Sequence, residues 1–202
     1  MSNIKGDKIK INEKSHNMAD NSQGYTPKGC DFDVFVVLPD IRSAHNVGSV
    51  FRTSDAAGVN KIYISGYTPT PLNKFNKPQP QIAKTALGAE KNIPWEYFES
   101  HTTMLNKLKK DGFKIIAVEQ TKNSINYKDL NLNNLFVNNK GKVSGVGPRD
   151  KKIAFVFGNE VLGLPKGIID KTDVCIELPM NGMKESLNVA VTAGIVLFQY
   201  LV

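Results

Sequence analysis

Apolar residues along this chain gather in short unbroken runs separated by polar, Pro-rich or Gly-rich stretches. Residues 34–38, 61–65, 113–118, 153–157 and 174–178 have the length and the β-branched or aromatic content of buried strands. Pro94-Trp95-Glu96-Tyr97-Phe98 supplies a further extended segment. Helices are predicted between them. Residues 46–57 follow a loop, Pro39-Asp40-Ile41-Arg42-Ser43-Ala44-His45, with Asn46 suited to N-capping and Gly58 to stopping the helix. Residues 101–111 place Met104, Leu105 and Leu108 on one side and end at Gly112. Strands alternating with helices in this order predict an α/β fold, a mainly parallel sheet flanked by helices, with no internal repeat and no second domain.

Residues 187–202 carry no charge at all. Leu187, Ala190, Val191, Gly194, Leu197, Phe198 and Leu201 keep helical spacing, while Val189, Ile195 and Val196 make the remaining face apolar, which predicts a helix covered nearly all round. With Asn188, Thr192 and Gln199 among only sixteen residues, the segment is too short and too polar to span a membrane. A chain of this size would struggle to bury such a helix on every side, so a homodimer is expected.

The irregular stretches are as informative as the regular ones. Residues 1–30 mix Lys, Asn, Asp, Ser and Gly with almost no apolar pattern, which predicts a loosely attached basic arm carrying Lys5, Lys8, Lys10, Lys14 and Lys28. Residues 66–81 hold Pro69, Pro71, Pro78 and Pro80 and are expected to be a loop. Residues 122–150 are Asn-rich, with Lys140, Lys142 and Arg149 near several glycines, and suggest a short helix and an insertion. The loops after residues 157 and 178 leave the carboxyl ends of strands, where open α/β sheets place ligands.

The chain of 202 residues suits one globular domain, 31–202, following the arm. Its formal charge of +7 favours a polyanionic partner such as nucleic acid, although a Lys- and Asn-rich composition is also what genomic base bias produces. Two distant cysteines, Cys30 and Cys175, argue against a disulfide framework or zinc site and for a reducing, cytoplasmic setting. His16, His45 and His101 show no metal-ligand pairing. No secretory or transmembrane segment is expected. Dinucleotide-binding, P-loop and nucleophile-elbow signatures do not occur.

Three segments carry a specific likeness. Asn46-Val47-Gly48-Ser49-Val50-Phe51-Arg52-Thr53, Phe157-Gly158-Asn159-Glu160-Val161-Leu162-Gly163-Leu164 and Leu178-Pro179-Met180 followed by Ser186-Leu187-Asn188-Val189-Ala190-Val191 resemble, in order, the three motifs of SpoU-type (TrmH-like) RNA methyltransferases of the α/β-knot (SPOUT) superfamily. The resemblance implies a C-terminal deep trefoil knot, pairing of two copies, S-adenosylmethionine as cofactor and methylation of a ribose 2′-hydroxyl in tRNA or rRNA. It also implies site residues. Arg52 would activate the hydroxyl or, since a guanidinium stays protonated, grip the adjacent phosphate. Asn46, Glu160 and Asn188 would complete the catalytic set. Val118, Glu119, Gly158, Leu178, Met180 and Leu187 would hold the cofactor, and Arg42, Lys74, Lys77 and Lys84 are candidate RNA contacts.

Alternatives attach to several of these positions. The plainer reading of Arg52 is an ion pair with Glu160 or a helix cap, that of Asn46 simple N-capping, and that of Leu178 and Leu187 core packing. His45 is a second base candidate, because an imidazole changes charge near neutral pH. Ala190 stands where the family often has serine, which raises the question of how the polar network closes. A base-methylating enzyme and a catalytically silent knotted RNA-binding or assembly factor are the competing functions.

Overall fold

The computed structural model describes residues 31–137 and 150–202. The predicted arm at residues 1–30, with Cys30 and His16, and the part of the insertion that holds Lys140, Lys142 and Arg149 lie outside these residues. In chain order the elements are β1 (Phe32–Pro39), α1 (Ala44–Ala57), β2 (Lys61–Ser65), α2 (Pro80–Ala86), α3 (Ala89–Asn92), β3 (Trp95–Phe98), α4 (His101–Lys110), β4 (Lys114–Val118), β5 (Ile125–Asn126), β6 (Lys151–Phe157), α5 (Lys166–Ile169), β7 (Val174–Glu177) and α6 (Val189–Leu201). A 3₁₀ turn at Leu132–Phe136 accounts for the short helix expected in the insertion.

The strands form one sheet in the order β3-β2-β1-β6-β4-β7-β5, and every pairing is parallel. A parallel sheet needs cover on both faces, which is why its strands read as unbroken apolar runs. On β1 and β6 the alternate residues Val34, Val36, Leu38, Ile153, Phe155 and Phe157 pack into a core shared with Phe51 of α1, Ile82 of α2 and Val196 and Leu197 of α6. The opposite face, with Val37, Ala154, Val156, Ile115 and Ala117, packs on Met104, Leu105 and Leu108 of α4 and Ile168 of α5. Because all strands run the same way, the loops after β1, β2, β4, β6 and β7 gather along one edge.

The predicted strands are present to within a residue or two of their expected ends, and three helix boundaries differ. α1 begins at Ala44, capped by Ser43, whose hydroxyl accepts from the Asn46 backbone amide at 3.2 Å. Asn46 is therefore inside the helix, and its side chain is released for another task. Gly58 does end α1, in the left-handed region at φ 76°. The Pro-rich stretch does not remain a loop to residue 81, since Pro80 opens α2, a position where the missing amide hydrogen costs nothing. α6 starts at Val189 with Asn188 as its cap, so Leu187 precedes the helix.

Within one chain α6 is covered on one side only. Val189, Ala193, Val196 and Leu197 are buried, whereas Leu187, Val191, Phe198 and Val202 form an exposed apolar row. Its far end is tied to the sheet by Tyr200, which stacks on Phe155 with 5.6 Å between ring centroids and donates its hydroxyl hydrogen to the Tyr127 carbonyl. Burial pushes that phenol up to about 12. Among the described residues no helix is long and apolar enough to cross a membrane.

α1 and α2 meet at Gly48, where a Cβ would stand 2.2 Å from Thr85 Oγ1 and 2.4 Å from the Ile82 carbonyl oxygen. Gly48→Ala is expected to destabilise the protein by about 1–3 kcal/mol through overpacking. Adding Thr85→Ala should restore little of it, because the backbone carbonyl stays in place. Urea melts of the single and double variants check this; full recovery in the double variant would show that the hydroxyl alone sets the spacing.

Candidate active site

Five loops at the carboxyl edge, those after β1, β2, β4, β6 and β7, build the site. The turn after β6 folds back on itself, with Asn159 N–H donating to the Gly163 carbonyl at 3.2 Å and Gly163 N–H returning to Asn159 at 3.1 Å. Gly163 takes φ 65°, open at no cost only to glycine. Glu119, from the loop after β4, braces this turn by accepting the Leu164 amide at 2.7 Å. A Cβ on Gly158 would lie 2.9 Å from Glu119 Oε2 and 3.0 Å from the Gly163 carbonyl carbon and Leu164 nitrogen. The demand for glycine at 158 thus comes first from the fold of this loop.

Asn159 is buried and uses every hydrogen-bonding site it has. Its amide donates to the Asp40 carbonyl at 2.6 Å and the Tyr67 hydroxyl at 2.8 Å, and its oxygen accepts the Val161 and Leu162 amides at 2.8 and 2.9 Å. Asp40 in turn holds His101 Nε2 at 2.8 Å and the Tyr67 amide at 3.2 Å. The positions Asp40, Tyr67, His101 and Asn159 were not singled out from sequence as site residues. Only Asn159, lying inside the second motif, carried a signal there.

The next residue, Glu160, faces α1. Its Oε1 accepts the Asn46 side-chain amide at 2.8 Å and its Oε2 the Arg42 backbone amide at 3.2 Å. Asn46 Oδ1 accepts the Asn188 side-chain amide at 3.1 Å, and Asn188 Oδ1 caps α6 by accepting the Ala190 amide at 2.8 Å. Three of the four candidate catalytic residues are therefore joined in one chain. Desolvation pushes the Glu160 carboxyl upward, but hydrogen bonds from Asn46 and from the backbone amides of Glu160, Arg42 and Ser43 outweigh it and hold the group below its ordinary value. The chain runs from Glu160 to the Ala190 backbone amide without using a hydroxyl at position 190.

Arg52 is exposed on α1 and has no hydrogen bond or ion pair among the described residues, so the expected alternative of an Arg52–Glu160 pair does not form. His45 is exposed, and its backbone carbonyl, rather than its ring, is engaged by Ser49 and Thr85. Arg42, Lys74, Lys77 and Lys84 all present exposed side chains.

Beside the polar chain lies a cavity of about 360 Å³. All six expected cofactor residues, Val118, Glu119, Gly158, Leu178, Met180 and Leu187, line it, together with Glu160. Its size is that of a small-molecule site, and its wall sets the apolar Val118, Leu178, Met180 and Leu187 among carboxylate, amide and hydroxyl groups. No cluster of His, Cys, Asp or Glu among the described residues could hold a metal ion.

The model of a family described as the SpoU rRNA Methylase family matches residues 33–198. A tRNA (guanosine(18)-2′-O)-methyltransferase of Borreliella burgdorferi is 28% identical over 167 residues, covering 82% of this chain and 64% of that protein. The chain spans less than two thirds of the length of the curated relatives it matches. The crystal structure of the A. aeolicus TrmH/SpoU tRNA modifying enzyme superposes with TM-score 0.65 at 27% identity, covering 84% of this chain and 74% of that one. The AdoMet-bound rRNA methyltransferase from Sinorhizobium meliloti shares the fold at TM-score 0.67 and 23% identity, over 83% and 55% of the two chains.

The lowered Glu160 carboxyl has a testable sign. A depressed native value contributes stability that is present above the ordinary 4.5 and is lost as the pH falls through the native value. The parent's advantage over Glu160→Gln should therefore be present at neutral pH and shrink below about pH 4.5. Thermal melts of both proteins across that range check it. A difference independent of pH would mean that packing, and not the ionised carboxylate, holds the loop.

Proposed function

The chain belongs to the SpoU rRNA methylase family, and from that premise we propose that it transfers the methyl group of S-adenosylmethionine to a ribose 2′-hydroxyl of tRNA or rRNA. The observation that carries this reading is adjacency: Glu160 is both a wall of the cavity and the end of the chain through Asn46 to Asn188. A catalytically silent RNA-binding factor would have no need of that chain.

The cavity suits the cofactor. Val118, Leu178, Met180 and Leu187 offer apolar surface for a purine, while the carboxylates of Glu119, Glu160, Glu177 and Glu185 along the wall complement a cation. The cofactor supplies, when bound, an electrophilic methyl group on a sulfonium. Transfer to oxygen is an in-line displacement with a good leaving group, so the protein's part is chiefly alignment. Asn46, fixed at both ends by Glu160 and Asn188, orients the ribose from α1. Arg52, on the same helix and free of internal ion pairs, grips the adjacent phosphate with two parallel N–H donors and favours loss of the hydroxyl proton. Arg42, Lys74, Lys77 and Lys84 supply positive charge for the RNA backbone.

The same reading includes the family's trefoil knot. β6 and β7 enter the sheet on either side of β4, and Gln120 Nε2 donates to the Glu185 carbonyl at 2.8 Å, holding the segment before α6 against the loop after β4. It also includes a homodimer, cytoplasmic in location, paired through the exposed row Leu187, Val191, Phe198 and Val202.

Arg52→Ala should lower single-turnover methylation of RNA by about two orders of magnitude or more while leaving calorimetric affinity for S-adenosylmethionine nearly unchanged. Arg52→Lys separates two roles, because it keeps the charge and loses the planar fork: a severe defect supports bidentate contact and a mild one a simple charge. A fully active Arg52→Ala protein would overturn the assignment.

The parent protein should sediment as a dimer at micromolar concentration, and Phe198→Glu should shift it to monomer. A stable monomeric parent would remove the dimer from the proposal.

A further inference from the structure

The loop after β2 is an ordered arm with an unusual tip. Its root is bolted to the neighbouring loops: Thr68, buried, donates to the Leu38 carbonyl and accepts the Ile41 amide, both at 2.8 Å, Tyr97 donates to the Gly66 carbonyl at 2.8 Å, and the Tyr67 hydroxyl accepts from Asn159. Its stem is a narrow hairpin in which Leu72 bridges Pro78 and the Gln79 amide donates to the Pro71 carbonyl at 2.8 Å. Its tip is tied by Asn73, whose side-chain oxygen accepts the Phe75 and Lys77 amides at 2.9 and 3.1 Å, while its backbone amide donates to the Lys77 carbonyl at 2.9 Å. Asn76 takes the left-handed conformation the turn requires.

This architecture holds out one aromatic ring. Phe75 is 69% exposed, so burial does not explain it, and the Asn73 hydrogen bonds fix the backbone on either side of it. Lys74 Nζ lies 5.1 Å from the ring centroid. Lys77 follows on the other side of the turn, and neither lysine takes part in an ion pair among the described residues. An exposed ring on a braced backbone, with a lysine on either side of it in the turn, matches a single nucleotide unit, a flat base with a phosphate before and after it. A protein partner would instead be met by a contiguous apolar patch, and the residues around Phe75 in the tip are Asn and Lys.

We propose that Phe75 is a stacking platform for an unpaired nucleobase of the RNA substrate, with Lys74 and Lys77 holding the flanking phosphates. The proposal rests on the RNA-methyltransferase reading and goes beyond it by assigning a preference for single-stranded RNA beside the target nucleotide. The arm leaves the same sheet edge as Asn46 and Glu160, and Tyr67 at its root bonds directly to Asn159, so the platform is rigidly placed relative to the site. A base already stacked inside a duplex cannot lie on the ring, which makes the platform selective.

The test compares the parent, Phe75→Ala and Phe75→Trp on fluorescent oligouridylate and on the same strand annealed to oligoadenylate, at fixed salt. Phe75→Ala should weaken oligouridylate binding on the order of tenfold and leave the duplex nearly unaffected. Phe75→Trp should bind oligouridylate as the parent does, and its new exposed indole should be quenched by oligouridylate and not by duplex; Trp95, which is buried, serves as the internal control. Unchanged oligouridylate binding by Phe75→Ala, or an equal loss on both probes, overturns the platform while leaving the RNA reading intact. A parent that binds neither probe overturns both.

Discussion

One buried side-chain amide joins the loops that make this site. Asn159 donates twice, to the loop after β1 and to the loop after β2, and accepts twice from the turn that follows it, so all four of its hydrogen-bonding positions are used. Leaving any of these groups unpaired in a buried place costs about 1–3 kcal/mol, which gives the arrangement little freedom to drift. Glu160 is carried by that turn, so its reach to Asn46 depends on it. The strain is placed nearby. Asp40 holds a left-handed φ of 53°, a conformation Asp tolerates better than most residues, and it persists because its carbonyl and its carboxylate are both engaged.

The second constraint is steric. Gly158 and Gly163 make room for the Glu119 carboxylate, since a Cβ on either would press against its oxygen. Glu119 belongs to the cavity wall, as the family resemblance implied, yet its two oxygens accept the Leu164 and Gln120 amides. It serves the pocket mainly by fixing the opposite wall. A parallel sheet makes this economical, because β1, β6, β4 and β7 are neighbours whose carboxyl ends open onto the same space.

The strands were legible because a sheet buried on both faces writes itself as unbroken apolar runs, and α4 because its buried side repeats at helical spacing. α2 was not, since Pro80 reads as a breaker unless one knows it occupies a first helical turn. The cap of α1 was misplaced by three residues because Ser43 and Asn46 are both good caps, and only the tertiary demand for Asn46 at Glu160 decides between them. The cavity residues were legible through motif resemblance; packing alone would have assigned Leu178 and Leu187 to the core. The Asp40–His101 and Asp40–Asn159 contacts join residues 61 and 119 positions apart, and no local pattern announces such pairs.

The chain from Glu160 to α6 has a direction that follows from its chemistry. An ionised carboxylate can only accept, so Asn46 must turn its NH₂ group toward Glu160, which points its oxygen away. That oxygen can only accept, so Asn188 must present its own NH₂ group to it, and the remaining oxygen of Asn188 is left to cap α6 at Ala190. The ionised state of Glu160, maintained by the hydrogen bonds that lower its carboxyl, thereby sets the orientation of two amides and the first turn of the last helix. A hydroxyl at position 190 could rotate to suit either orientation. Ala190 brings only its backbone N–H, which can only donate, so the chain is oriented from both ends alike, by the Glu160 carboxylate at the cavity wall and by the first amide of α6.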